Sequence, residues 1–436
     1  MALRSFSAHI VFSAIYNNSP KEQKNNKRFY SVLYLFRWYW LYHHIRDLTD
    51  YSSVVMLLKT RIMISKNIQI ITKILRMNKI LIYLLSFLFF TQISCQEKKD
   101  DKKTKTMTKY EWTEGTSAPL GYPMEVYKGG IECEGGEWVG LGFGIIPGDG
   151  PWGAINHGMG NGFKSLPTRL DFVWMSYMEN QFYMIDTAID TAKIKEYFSK
   201  GYDTKVTNGS GEIEHLNYDE IGVGMAPGGV VVVWVVGVGV QKEVGRYQGK
   251  KVTIPESEIA KLDSHENRFW RKDYLDEVFN NGKVIPAEVR EKNKGKEIPF
   301  GLWDTYRIRY SWKPVFELPE KGKLNSLANV KISTINGEKE QFDTSKSILA
   351  ENEQRAIPRR IIFDYVGMDN KVYGANCDLN ENSSFEAFKA IFSDDPNSTK
   401  ADIIVKVNEA NSYFTIKLRG ENGKEAFIKT DTVEVF

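Results

Sequence analysis

Apolar and polar positions alternate in short stretches through most of this chain, the period of half-buried β-strands rather than of helices. Glu125-Val126-Tyr127 and Trp138-Val139-Gly140-Leu141-Gly142-Phe143 read as strands on either side of a Gly135-Gly136 turn. A Gly-rich loop follows over residues 147–162. Strand patterns then resume at Phe172-Val173-Trp174-Met175-Ser176-Tyr177 and Gln181-Phe182-Tyr183, turning at Glu179-Asn180. One amphipathic helix is predicted next: Asp190 or Thr191 caps it, Ile194, Tyr197 and Phe198 share a face, and Gly201 ends it. The run over 230–240, Val-Val-Val-Val-Trp-Val-Val-Gly-Val-Gly-Val, is β-branched and flanked by glycine, which predicts a central strand buried on both faces.

Residues 255–282 read as charged helix burying Ile259, Leu262, Phe269, Trp270, Leu275, Val278 and Phe279. Tyr306, Ile308, Tyr310 and Trp312 then alternate with Thr305, Arg307, Arg309 and Ser311, which predicts a strand with one polar face. Residues 314–329 form the expected hinge. Beyond them, Ile361-Ile362-Phe363-Asp364-Tyr365 and Lys371-Val372-Tyr373 bracket a turn at 367–370, and Ser383-Ser384-Phe385-Glu386 has capping-box spacing before a short helix. A three-strand meander over 403–407, 413–418 and 426–435 closes the chain, its last turn at Glu421-Asn422-Gly423. The predicted fold class is mainly β, of α+β type. Antiparallel sheets form a β-sandwich-like domain with a helical insert over 110–316, and a smaller β-rich unit occupies 317–436.

The N-terminal quarter has another character. Lys79 precedes an apolar run over 80–90 broken only by Ser86, and Thr91-Gln92-Ile93-Ser94 leads to Cys95. A positive start, an apolar core of about a dozen residues and a small residue before the cut make a secretory signal. The run is too short for a membrane span, which needs about 20 residues. Because a signal works only at an N-terminus, residues 1–76 are expected to be an upstream extension outside the working protein; a basic arm for nucleic acid or anionic lipid is the alternative. That extension carries 12 basic and 3 acidic side chains. The residues from Cys95 onward carry 45 basic and 52 acidic ones, a net charge of −7. The whole chain's +3 therefore belongs to its start, and no nucleic-acid partner is expected. Residues 95–109 are a charged tether.

Ending on Cys95, residues 77–94 resemble a bacterial lipoprotein signal peptide. That implies acylation of Cys95 and a membrane held through a lipid anchor. Ser94 fits the pattern and Gln92 departs from the usual aliphatic residue. The charged run Gln96-Glu97-Lys98-Lys99-Asp100-Asp101 resembles the export signal of Bacteroidetes-type lipoproteins.

Candidate chemistry is sparse. Gly158-Met159-Gly160-Asn161-Gly162 lacks the strand before and helix after that a phosphate loop needs, although Trp152, Asn156 and His157 in the same loop are candidates for a binding surface. His265-Glu266-Asn267-Arg268-Phe269 has Phe where a zinc protease motif requires a second His. No metal site and no cofactor are expected. Arg307 and Arg309, two residues apart on the predicted strand, are candidates to clamp an anion. Cys133 and Cys377 are the candidates for one disulfide in an oxidising envelope, with two separate thiols as the alternative.

Several segments together resemble one family. Ala118-Pro119 through Tyr127-Lys128-Gly129-Gly130, His157-Gly158-Met159-Gly160, Leu166-Pro167-Thr168-Arg169-Leu170-Asp171, Trp174-Met175-Ser176-Tyr177, Ala226-Pro227-Gly228-Gly229-Val230 and Gly301-Leu302-Trp303-Asp304-Thr305-Tyr306-Arg307 are similar to the domain-of-unknown-function 2931 family of bacterial putative lipoproteins. The resemblance implies an envelope lipoprotein and carries no catalytic residues. The expected role is a non-catalytic, lipid-anchored module of the outer membrane, on its periplasmic face or the cell surface, binding a protein or glycan. The alternatives are an envelope hydrolase using residues such as Asp149, Asp171, His157 and His215, or an immunity lipoprotein against an antibacterial toxin.

Overall fold

The Val-rich run forms the strand Val230–Gly237, hydrogen-bonded on one side to Glu220–Ala226 and on the other to Val240–Gln248. It ends at Gly237, not at residue 240: Val238 and Gly239 make a turn and Val240 opens the next strand. The structure is a computed structural model. It describes residues 108–436 apart from Phe143, Met159, Asn161, Asp394 and the stretches 206–212, 320–321, 325–329 and 343–350. The signal, Cys95 and the tether up to residue 107 lie outside the described residues.

Side-chain alternation on Val230–Gly237 creates two cores. Val231, Val233 and Val235 pack with Ile131, Leu170, Phe172, Trp174 and Ile185 of a six-stranded sheet. Val230, Val232, Trp234 and Val236 join the opposite core with Trp152, Trp303 and Tyr306. The strand Glu220–Ala226 follows the same logic: Ile221, Val223 and Met225 enter the first core, while glycine stands at 222 and 224 on the other face. A Cβ on Gly224 would lie 2.5–2.6 Å from the Trp152 and Trp234 rings, so no larger residue fits beneath that pair.

The eleven-stranded sheet containing Val230–Gly237 continues through Lys339–Phe342, Val330–Thr334, Pro358–Val366 and Val372–Leu379 to Thr430–Val435. It takes strands from both sides of residue 316, so the two expected units share one sheet. A five-stranded sheet and the helix Glu381–Phe392 supply the remaining cover, burying Ile403, Val405, Ile416, Leu418, Phe388 and Phe392. The mainly β class is as expected. Among the described residues two strand pairs are parallel: Thr113–Ser117 with Glu220–Ala226, and Tyr310–Glu317 with Ala401–Val407. The terminal meander divides at Lys429. Glu425–Ile428 stays with the five-stranded sheet and Thr430–Val435 crosses to the large one.

Two helix signals shift by small amounts. Asp190 caps Thr191–Lys200 as expected, accepting from Lys193 N at 2.9 Å. The later helix starts at Glu381, three residues before Ser384, because Asn380 is the cap and Ser383 Oγ instead accepts from Lys429 N. The polar-faced strand expected at 305–312 begins only at Tyr310; Leu302–Thr305 is a helical turn and Arg307 and Arg309 precede the strand.

The outer face of the six-stranded sheet carries the helical insert, whose Phe269, Val278, Val284, Ile285 and Val289 meet Val173, Met175, Tyr177 and Phe182. One carboxylate lies at the centre of this join. Glu125 is wholly buried, its Oε1 accepting from Arg268 Nε at 2.9 Å and Nη2 at 2.6 Å. Its Oε2 accepts from Tyr274 Oη at 2.9 Å and from Tyr177 Oη. Four donors thus replace its hydration shell, the condition under which a buried charge is tolerated. Arg268→Met leaves that charge without its counter-ion and is expected to lower unfolding stability by ~3–5 kcal/mol, read as a lower urea midpoint. An unchanged midpoint would show that the insert docks by apolar contact alone.

Candidate functional site

A cleft of about 910 Å³ opens where Thr113–Ser117 and Glu220–Ala226 begin and Val230–Gly237 ends. The hairpin Tyr202–Lys205 with Ile213–Leu216 forms another side, through Tyr202 and Leu216. Tyr110, Phe163, Tyr202 and Tyr218 give the cleft aromatic walls, with Phe163 66% and Val238 64% exposed at its rim. The Tyr202 and Tyr218 rings lie 4.9 Å apart. Burial raises both phenols above their ordinary value.

Its polar floor is made by Asp219, Glu220 and His157. Asn156–His157 is a two-residue strand laid antiparallel on Gly115 and Thr116, which brings His157 across the start of the sheet. His157 Nδ1 lies 2.8 Å from Glu220 Oε1; the His side chain is 75% exposed and the Glu side chain 5%. A Cβ on Gly115 would sit 2.4 Å from that same Oε1, so glycine leaves the room in which the carboxylate lies. Burial raises the Glu220 pKa, and the bond to His157 offsets this only in part. Asp219 opens toward solvent, yet its apolar surroundings raise its pKa too, helped by Glu111 and opposed by His157.

On the other side of His157 lies a smaller hollow of about 230 Å³, lined by Glu114, Thr116, Ile146 and Asn156 among others. There Glu114 is buried against Lys164 at 2.9 Å, and Lys164 also donates to Gly160 O at 2.6 Å and lies 4.7 Å from the Trp112 ring centre. That ammonium is fully engaged, so this side is a closed ion pair and the larger cleft is the open one.

The residues singled out from sequence fall in different places. His157 lines both hollows and Asn156 the smaller one. Trp152 is core: it is 4% exposed and meets Trp234 edge-on with centroids 5.1 Å apart. Arg307 and Arg309 do not form an anion clamp on a strand face. Arg307 donates to Glu243 Oε1 at 2.9 and 2.7 Å, and Arg309 lies 2.7 Å from Glu338, so each guanidinium is neutralised within the fold. Burial pushes Glu338 up, but Arg309 and Asn336 outweigh it and hold it below the ordinary carboxylate value.

Cys133 and Cys377 are free thiols in different cores, each pushed up to about 12 by burial. Among the described residues, no hydrogen bond or ion pair joins any two of Asp149, Asp171, His157 and His215. His157 is bound to Glu220, and His215 to Asp203 at 2.7 Å. Among the described residues no group of three or more His, Cys, Asp and Glu side chains is placed to hold a metal. No helix among them is long and apolar enough to cross a membrane. Sequence reasoning missed Asp219, Glu220, Tyr202 and Tyr218. The available signal was Asp219-Glu220 standing directly before Ile221-Gly222-Val223-Gly224-Met225, where an acidic residue enters an apolar strand.

Glu220→Gln tests the electrostatics of this floor. Because the folded-state pKa is raised, ionised Glu220 costs stability above that pKa and costs nothing below its unfolded value of about 4.3. The variant is therefore expected to melt above the parent near pH 8, with the difference closing below about pH 4. A difference that grows on acidification would contradict the assignment.

Residues 96–301 match the model of a family described as a protein of unknown function, DUF2931. The match supports the family resemblance carried by the motifs, and the matched stretch contains every residue that lines the larger cleft. No curated protein and no solved structure matches the chain.

Proposed function

We propose that this DUF2931-like chain is a lipid-anchored protein of a Gram-negative cell envelope that binds a saccharide in the cleft beside His157. The observation that carries the reading is the composition of that cleft. Aromatic surfaces at Tyr110, Phe163 and Tyr202 stand over hydrogen-bonding groups at Asp219, Glu220 and His157. A sugar ring presents an apolar C–H face and a rim of hydroxyls, so it meets both surfaces at once. The anchor rests on residues 77–95, where the apolar run, the small residue and Cys95 fall in lipoprotein order.

One observation favours a second reading. A buried carboxylate bonded to Nδ1 of an exposed histidine that lines the cleft leaves Nε2 without a hydrogen bond among the described residues, the arrangement of a general base. Saccharide chains incubated with the protein separate the two. Shortened products that disappear with His157→Ala would establish a hydrolase, and intact chains favour binding alone.

For the main reading, calorimetry with soluble envelope oligosaccharides is expected to show binding that weakens roughly three- to tenfold in Phe163→Ala. Phe427→Ala, on the five-stranded sheet, should leave it unchanged. Equal loss in both variants would remove the cleft from consideration. For the anchor, Cys95→Ser is expected to move the protein from the membrane fraction to the soluble one, and continued retention would contradict acylation at that residue.

A further inference from the structure

The cleft has an unbalanced set of charges. Lys109 at its mouth is taken by Glu137 at 3.2 Å, and His157 is taken by Glu220. Three acceptors remain. Glu111 and Asp219 have no side-chain partner among the described residues, Asp219 accepting only from its own backbone N–H, and Glu220, 4% exposed and attracted also by the Lys339 ammonium, offers Oε2 with no hydrogen bond. Tyr218 is 5% exposed and lines the same cleft, and its hydroxyl makes no hydrogen bond among the described residues. Buried polar groups of a folded protein are nearly always satisfied, so the spare bonding capacity of Glu220 and Tyr218, two buried side chains that line an open cleft, marks where a ligand's donors go, with the exposed carboxylates of Glu111 and Asp219 beside them. The acceptors here are anionic and the rings beside them, Tyr110, Tyr202 and Tyr218, present negative faces to a cation.

From this geometry we propose that the cleft selects saccharides bearing a free primary amine, whose ammonium lies among Asp219, Glu111 and the open oxygen of Glu220. The inference rests on the saccharide reading above and narrows it. An ammonium brings three donors and a positive charge. Its charge offsets the desolvation and like-charge repulsion that raise Asp219 and Glu220. An N-acetyl group in the same place brings one donor and no charge, and a uronic acid brings a carboxylate against carboxylates.

The test compares chitosan oligomers, which carry free amines, with fully N-acetylated oligomers of the same length, titrated into the full chain by calorimetry near pH 6. The free-amine oligomer is expected to bind at least about tenfold tighter, the scale of a hydrogen bond to a charged group. In the double variant Glu111→Gln, Asp219→Asn that ratio should fall to about one. A matched charge change elsewhere, Asp276→Asn with Glu409→Gln, should preserve it, which separates the cleft from general attraction to an acidic protein. Equal binding of both oligomers by the parent overturns the amine inference while the saccharide reading stands. Binding of oligolysine with no binding of either oligomer keeps amine recognition and overturns the saccharide reading. No binding of any of the three overturns both.

Discussion

Burial of Val230–Gly237 on both faces is the constraint from which the remaining architecture follows. A strand that shows water neither face must be covered twice, and the chain supplies a six-stranded sheet on one side. On the other lie Trp152, Trp303 and the C-terminal strands and helix. The neighbouring strand then has to place glycine against the Trp152–Trp234 pair, which it does at 224, while glycine at 222 leaves room for Ile155. The end of this stack is where the cleft opens, because Glu220 stands at the last position before the buried run. At that position the sheet changes from closed core to solvent within one residue, Asp219.

Four glutamates are buried in the described residues: Glu114, Glu125, Glu220 and Glu243. Three are met by a permanently charged partner, Lys164, Arg268 and Arg307 respectively. Glu220 alone is met by a histidine, and that histidine is largely in solvent. The fold thus applies one rule for buried charge and departs from it at one place, the wall of its larger cleft. Departures of this kind cost stability and are concentrated where proteins bind or react. The contrast between Glu114 and Glu220 is sharp because both lie at the start of adjacent parallel strands.

Much of the fold was legible because its signals are local. The apolar, β-prone run at Phe172-Val173-Trp174-Met175, the Asp190 cap and the turn at Glu421-Asn422-Gly423 each depend on a few neighbouring residues, and each forms as the pattern predicts. Long-range facts were not legible. Nothing in the sequence joins residue 114 to residue 221 as parallel neighbours, or shows that Thr430 leaves its meander for another sheet. The site suffered most from this. His157 was singled out, but its partner is 63 residues away, while Arg307 and Arg309 looked free because Glu243 and Glu338 are remote in sequence. Trp152 looked like part of a binding loop for the same reason: its burying partner, Trp234, lies in the central strand.

The claim that the cleft beside His157 is where this protein meets its ligand is tested most directly by a crystal structure of the protein grown with a saturating glucosamine oligomer. Ordered sugar density between Tyr202 and Phe163, with its amine within hydrogen-bond distance of Asp219 or Glu220, is the predicted result. Sugar density seated elsewhere on the surface, with this cleft holding only water, would contradict it.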